Sequence, residues 1–176
     1  KKLLAPPNPL LPKFVGIELC LGLVGGCSAL LLHLGDAWMP NYYLLLGFVV
    51  GLIGTLAGLE IPIVTRLLEQ AGGLREVIAR VLAFDYLGAL AASLVFPLLL
   101  LPMLGNMRTA FFTGLVNWAV GVFNLIVFRK EIAERGRLWA LALGIGALLG
   151  TGFAYSFQLV AFSDALHYQD KVVLSR

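Results

Sequence analysis

The chain has 176 residues, of which 60% are hydrophobic and 13% charged, and its mean hydropathy is +0.91. Soluble domains carry roughly 25% charged residues, so this composition excludes an ordinary soluble enzyme. The net charge of +3 is small, and its cations lie between apolar stretches, which argues against a nucleic-acid-binding surface.

Five apolar stretches follow one another, at residues 14–34, 42–64, 81–103, 110–128 and 138–162. A helix needs about 20 apolar residues to cross the hydrocarbon core of a bilayer, and each stretch meets or nearly meets that length. We therefore expect an all-α protein, a polytopic transmembrane helix bundle of about five spans that occupies residues 1–162. Residues 163–176 form a more polar tail. Three prolines, Pro62, Pro97 and Pro102, are expected to kink the second and third spans.

The basic residues alternate from one connector to the next. Ten of the 13 lysines and arginines lie in three regions, before the first span and at 65–80 and 129–137. By the positive-inside rule the N-terminal segment of this multi-pass protein is then cytoplasmic. Five spans place the tail on the opposite face. The 65–80 connector is expected to form a short amphipathic turn, broken at Gly72 and Gly73.

Small and polar residues recur at helical spacing within the spans and predict close helix packing. The residues in question are Gly22 in the first span, Gly47, Gly51, Gly54 and Gly58 in the second, and Gly114, Asn117, Gly121 and Asn124 in the fourth. Such stripes serve either as packing faces within one bundle or as a face for a second copy.

Three carboxylates lie inside or at the edge of spans, at Glu18, Glu60 and Asp85. The predicted topology places all three at a similar depth near the cytoplasmic side. An acid in hydrocarbon is costly unless it is paired, protonated or hydrated, so each is a candidate functional residue. Three interpretations stay open: ion pairs with basic residues nearby (Lys13, Arg66 and Arg80), a polar cavity that binds a ligand, and a proton relay.

The motifs of soluble catalysis are absent from the sequence. There is no phosphate-binding glycine loop, no HExxH pair and no nucleophile elbow. The two histidines, His33 and His167, stand alone, so no zinc-type spacing exists. We accordingly assign no catalytic residue, metal or cofactor to this chain.

Four segments nevertheless carry a specific resemblance. They are 15–31 (VGIELCLGLVGGCSALL), 54–68 (GTLAGLEIPIVTRLL), 80–102 (RVLAFDYLGALAASLVFPLLLLP) and 108–117 (RTAFFTGLVN). They resemble the membrane-embedded bacterial spermidine synthases, or polyamine aminopropyltransferases, in which a multi-span domain precedes a Rossmann-like catalytic domain. Residues 165–176 (ALHYQDKVVLSR) are similar to the strand that enters that domain, with Lys171 in place of a proline.

The resemblance implies that the chain is the membrane domain of a spermidine synthase-like protein, with about two further spans upstream. A catalytic domain beyond the tail would then transfer an aminopropyl group from decarboxylated S-adenosylmethionine to putrescine. The three acids are predicted to line a polar cavity for a polyamine, and no nucleic acid is expected as a partner. The alternative is a non-enzymatic membrane subunit, in a homo-oligomer or a larger membrane complex, that packs through its glycine-rich faces. A small transporter is a third possibility.

Overall fold

The computed structural model describes residues 9–38, 40–69, 74–132 and 135–172. The helices are α1 (Leu10–Trp38), α2 (Tyr42–Glu69), α3 (Leu74–Val95), a π-helical segment (Phe96–Leu100), α4 (Leu101–Val127), α5 (Arg135–Ala154) and α6 (Ser156–Val172). The described ranges contain no β-strand, which confirms the predicted all-α class.

Four helical stretches are long and apolar enough to cross a membrane: Leu10–Asp36, Tyr42–Leu67, Ile78–Val127 and Arg135–Ala154. The third stretch contains 50 residues. A straight α-helix of that size would be about 75 Å long, more than twice the roughly 30 Å of a hydrocarbon core. This stretch therefore has to turn before it ends.

The turn is at Gly105, whose φ of 73° and ψ of 172° interrupt α4. Thr109 Oγ1 donates a hydrogen bond of 3.1 Å to the carbonyl oxygen of Leu100, nine residues earlier. In a straight helix these residues would lie about 13.5 Å apart. Gly105 thus divides the third stretch into two limbs that run back along each other, and five apolar limbs result, in the chain order predicted.

The core lies around α1, which packs against α4, α5, α2 and α6. One cluster joins the start of α1 to the end of α4 and the start of α5, through Val15, Leu19, Leu125 and Ala142. A second joins Met107, Phe111 and Leu149 towards the other end. We call the end of the bundle near Lys13, Arg66, Arg80 and Arg137 the cation-rich end, and the end near His33 and Arg108 the opposite end.

Glycines set the distance between α1 and α4. A Cβ atom on Gly114 would lie 2.6 Å from the Gly26 Cα and 2.6 Å from the Gly22 carbonyl oxygen. Both atoms belong to the backbone, so neither can rotate away. The small residues predicted in the first and fourth spans thus let these two helices touch through their backbones.

The predicted fifth span, 138–162, is wrong as one continuous helix. The structure ends α5 at Ala154, and α6 begins at Ser156, which is buried. The Arg108 guanidinium lies over the Phe153 ring at 5.1 Å and over the Phe157 ring at 4.5 Å, on both sides of the break. Asp164 of α6 then reaches His33 of α1. Contacts with α1 and α4 thus flank this interruption at Tyr155, which the hydropathy of the sequence does not reveal.

Two further expectations need correction, and one stays a prediction. Helix occupies most of the predicted 65–80 connector, because α2 extends to Glu69 and α3 begins at Leu74, and Gly72 and Gly73 lie outside the described residues. The kinks expected at the prolines stay a prediction: Pro62 lies inside α2, Pro97 in the π-helical segment and Pro102 in the first turn of α4. The strand implied for the tail is helical up to Val172. Lys171 supplies the backbone N–H that the family's proline lacks.

Candidate functional site

The three acids of the apolar helices line one cavity. The acidic cavity, about 970 Å³, is bounded by Glu18 of α1, Glu60 of α2, Asp85 of α3 and Asn117 of α4. It exists because α3 stands apart from the rest of the bundle. Within the described ranges, no Cα atom of α3 comes within 8 Å of one in α1 or α4, and α3 rests on α2 and the π-helical segment.

Glu18 is the most enclosed of the three acids, with 3% of its surface exposed. Its helical position puts it on the face that meets α4, where a Cβ on Gly121 would lie 3.4 Å from the Glu18 Cβ. The side chains of Glu18 and Glu60 lie within hydrogen-bonding reach of each other. A proton shared by the pair is donated from one carboxyl group to the other, so the pair offers acceptor oxygens to the cavity.

The remaining lining is mixed in charge and otherwise apolar. Asp85 and Arg80 enter from α3, five residues or about 1.4 turns apart, and Asn117 lines the cavity from α4. Aliphatic and small side chains such as Val64, Ala89 and Val120 complete the wall. Three carboxyl groups against one guanidinium favour a cationic occupant.

The residues predicted to pack helices fall into two groups. Gly22, Gly114 and Gly121 lie at the α1–α4 contact, and this contact holds Asn117 beside the acidic cavity. Asn124 is directed instead to its own helix, where Nδ2 donates a 2.9 Å hydrogen bond to the Val120 carbonyl oxygen.

The glycine stripe of α2 is not an internal packing face in the described structure. A Cβ atom on any of its members (Gly47, Gly51, Gly54 and Gly58) would meet no described atom within 4 Å. The reason is geometric: α2 contacts α1 and α3 through its other faces. A packing role for this stripe stays a prediction that concerns a neighbour outside the described residues.

Sequence reasoning missed a second polar cavity at the opposite end of the bundle. The histidine cavity, about 420 Å³, is lined by His33 and Asp36 of α1, Asn106 and Thr113 of α4, and Phe96. His33 Nε2 lies 3.3 Å from Asp164 Oδ1. The spacing of Gly25, Ser28, Ala29, Leu32, His33 and Asp36 along one helical face was the signal that could have revealed it.

Comparisons with known proteins agree on one family, although no family profile and no solved structure matches the chain. A polyamine aminopropyltransferase of Leptospira interrogans is 39% identical over 167 residues, 95% of this chain and 34% of the relative. Polyamine aminopropyltransferase 2 of Ralstonia nicotianae is 43% identical over 173 residues, 94% of this chain and 34% of the relative.

A third relative is less similar in sequence. The polyamine aminopropyltransferase of Oceanobacillus iheyensis is 34% identical over 173 residues, 92% of this chain and 33% of the relative. The chain spans about a third of the length of the curated relatives it matches. On this evidence the chain belongs to the polyamine aminopropyltransferase, or spermidine synthase, family.

Proposed function

We propose that this chain is the membrane-embedded bundle of a spermidine synthase-like protein and that its acidic cavity binds a polyamine. In the full-length protein, a separate catalytic domain would transfer the aminopropyl group from decarboxylated S-adenosylmethionine to putrescine. The bundle would supply a binding site for the amine. Membership of the aminopropyltransferase family supports the substrate class.

The observation that carries the proposal is the convergence of Glu18, Glu60 and Asp85, from three different helices, on one cavity. Acids within spans are costly to keep, and a bound ammonium group compensates for that cost. Carboxyl groups form strong charge-assisted hydrogen bonds with ammonium donors. A flexible diamine has two such groups separated by methylenes, which suits polar groups interspersed with apolar side chains.

We also propose the orientation of the bundle. The cation-rich end carries Lys13, Arg66, Arg80 and Arg137, and the positive-inside rule favours the cytoplasm for such an end. The acidic cavity lies towards this end, since Arg80 is part of its wall. An amine synthesised in the cytoplasm would then reach the cavity from the cytoplasmic side of the bacterial inner membrane.

The test is a titration of the full-length protein in detergent with radiolabelled putrescine, fitted to two sites because the catalytic domain would bind the same amine as its acceptor. The triple variant Glu18→Gln, Glu60→Gln, Asp85→Asn is expected to raise the dissociation constant of the cavity site at least tenfold and to leave the second site unchanged. Each lost hydrogen bond to a charged group contributes about 1.5–3 kcal/mol, and 1.4 kcal/mol is a factor of ten.

The matched control is Glu69→Gln, an exposed acid at the end of α2 that does not line the cavity. It removes one negative charge from the same helix as Glu60 and is expected to leave the dissociation constant unchanged. The melting temperature of each variant shows whether it is folded. Wild-type affinity in a folded triple variant would refute the proposed amine site.

A further inference from the structure

The acidic cavity and the histidine cavity lie along the same three walls. On α4, Asn117 lines the acidic cavity and Thr113, four residues earlier, lines the histidine cavity. On the third limb, Ala92 lines the acidic cavity and Phe96, four residues later, lines the histidine cavity. Four residues of helix rise about 6 Å. On α1 the lining runs from Glu18 to Gly25. About one to two helical turns therefore separate the two cavities.

Two glycines leave open space beside the walls. Gly25 lines the histidine cavity and Gly88 lines the acidic cavity, and a Cβ atom on either would meet no described atom within 4 Å. The α-helix of the third limb changes to π-helix at Phe96, next to the junction. Irregular backbone at membrane depth is characteristic of segments that line a cavity or a substrate path.

The charged and polar residues that line the two cavities favour a cationic ligand in each. Among the described residues that line the histidine cavity there is no lysine or arginine, whereas Asp36, His33, Asn106 and Thr113 offer oxygen or nitrogen ligands. The acidic cavity contributes three carboxyl groups against Arg80. The volumes, about 420 and 970 Å³, are those of small-molecule sites, which range over roughly 300–1,000 Å³.

We propose that the two cavities are the halves of one path, along which the bundle carries an organic diamine cation from one side of the membrane to the other. The inference rests on the proposed amine site and adds a transport activity to it. Glu18, Glu60 and Asp85 hold the cation at the cation-rich end, and Asp36 with its polar neighbours receives it at the opposite end. The α3 limb, which has few contacts with the core, forms the movable wall between them.

The experiment is uptake of radiolabelled putrescine into proteoliposomes that contain the full-length protein. Gly25 and Gly88 are each replaced by alanine, leucine and phenylalanine. The substituted side chains would extend into the path, so the initial rate of putrescine uptake is expected to fall as the side chain becomes larger. The phenylalanine variants are expected to have an initial rate at least tenfold below that of the wild type.

The control is the same series at Gly144 of α5, which is equally open but lines neither cavity. It is expected to retain at least half of the wild-type rate. Because each series is graded, a phenylalanine variant that does not fold leaves the alanine and leucine variants to test the trend.

Two results would overturn the path. One is wild-type uptake no faster than into protein-free liposomes, and the other is an equal effect of size at Gly25, Gly88 and Gly144. If the wild-type protein binds putrescine in the acidic cavity but does not take it up, the path is refuted and the proposed amine site stands. If the wild-type protein shows neither binding in the cavity nor uptake, both the amine site and the path are refuted.

Discussion

Replacing Gly114 by alanine is expected to destabilise the bundle, because this glycine lies where α1 and α4 touch. The added Cβ would be 2.6 Å from both the Gly26 Cα and the Gly22 carbonyl oxygen. Nonbonded carbon atoms prefer about 3.5–4.0 Å, so the helices would have to separate by roughly 1 Å. Such a separation also moves Asn117, one turn further along α4, away from the acidic cavity.

The size of the effect follows from two opposing contributions. An overpacked contact costs typically about 1–3 kcal/mol, whereas alanine favours helix over glycine by up to about 1 kcal/mol. The expected net loss of stability is about 0–2 kcal/mol, and about 1–3 kcal/mol relative to an alanine that causes no clash. For a chain of this length the latter corresponds to a melting temperature about 2–12 °C lower than that of the control.

The assay is thermal unfolding of the purified chain in one detergent. Gly47→Ala is the matched control, because its Cβ would meet no described atom within 4 Å. It retains the gain in helix propensity without the clash and is expected to leave the melting temperature unchanged or slightly raised. A Gly114→Ala variant as stable as Gly47→Ala would refute the close approach of α1 and α4.

Two further changes test the packing that positions the cavities. Gly105→Ala is expected to cost about 1–3 kcal/mol, because a φ of 73° with a ψ of 172° is accessible almost exclusively to glycine. Thermal unfolding against Gly136→Ala, an open helical glycine, measures this, and equal stability would contradict the sharp reversal. Trp118→Phe is expected to cost about 1 kcal/mol, since Trp118 Nε1 donates a 2.6 Å hydrogen bond to the Ala142 carbonyl oxygen. An unchanged melting temperature would show that this bond does not stabilise the α4–α5 contact.

The sequence was sufficient for the class of fold and for the candidate residues. Apolar length and helical propensity are local properties, and they predicted the apolar helices and their order, although not the interruption at Tyr155 or the helix in the tail. The acids were found in the same way, because a carboxylate within an apolar stretch is costly wherever the helix packs. The resemblance of 54–68 and 80–102 to spermidine synthases was borne out by relatives that cover more than nine tenths of the chain.

The tertiary structure decided which of these local signals meet. The small residues of α1 and α4 face each other, while the equally regular stripe of α2 faces away, and the periodicity of a single helix carries no information about its neighbour. The break at Tyr155 and the approach of Asp164 to His33 likewise depend on contacts between residues far apart in the chain. The sequence thus predicted five apolar limbs and three acids at a similar depth. Only packing decided that α3 stands apart and leaves a cavity between those acids, because the space between helices is set by contacts across the bundle and not by any one segment.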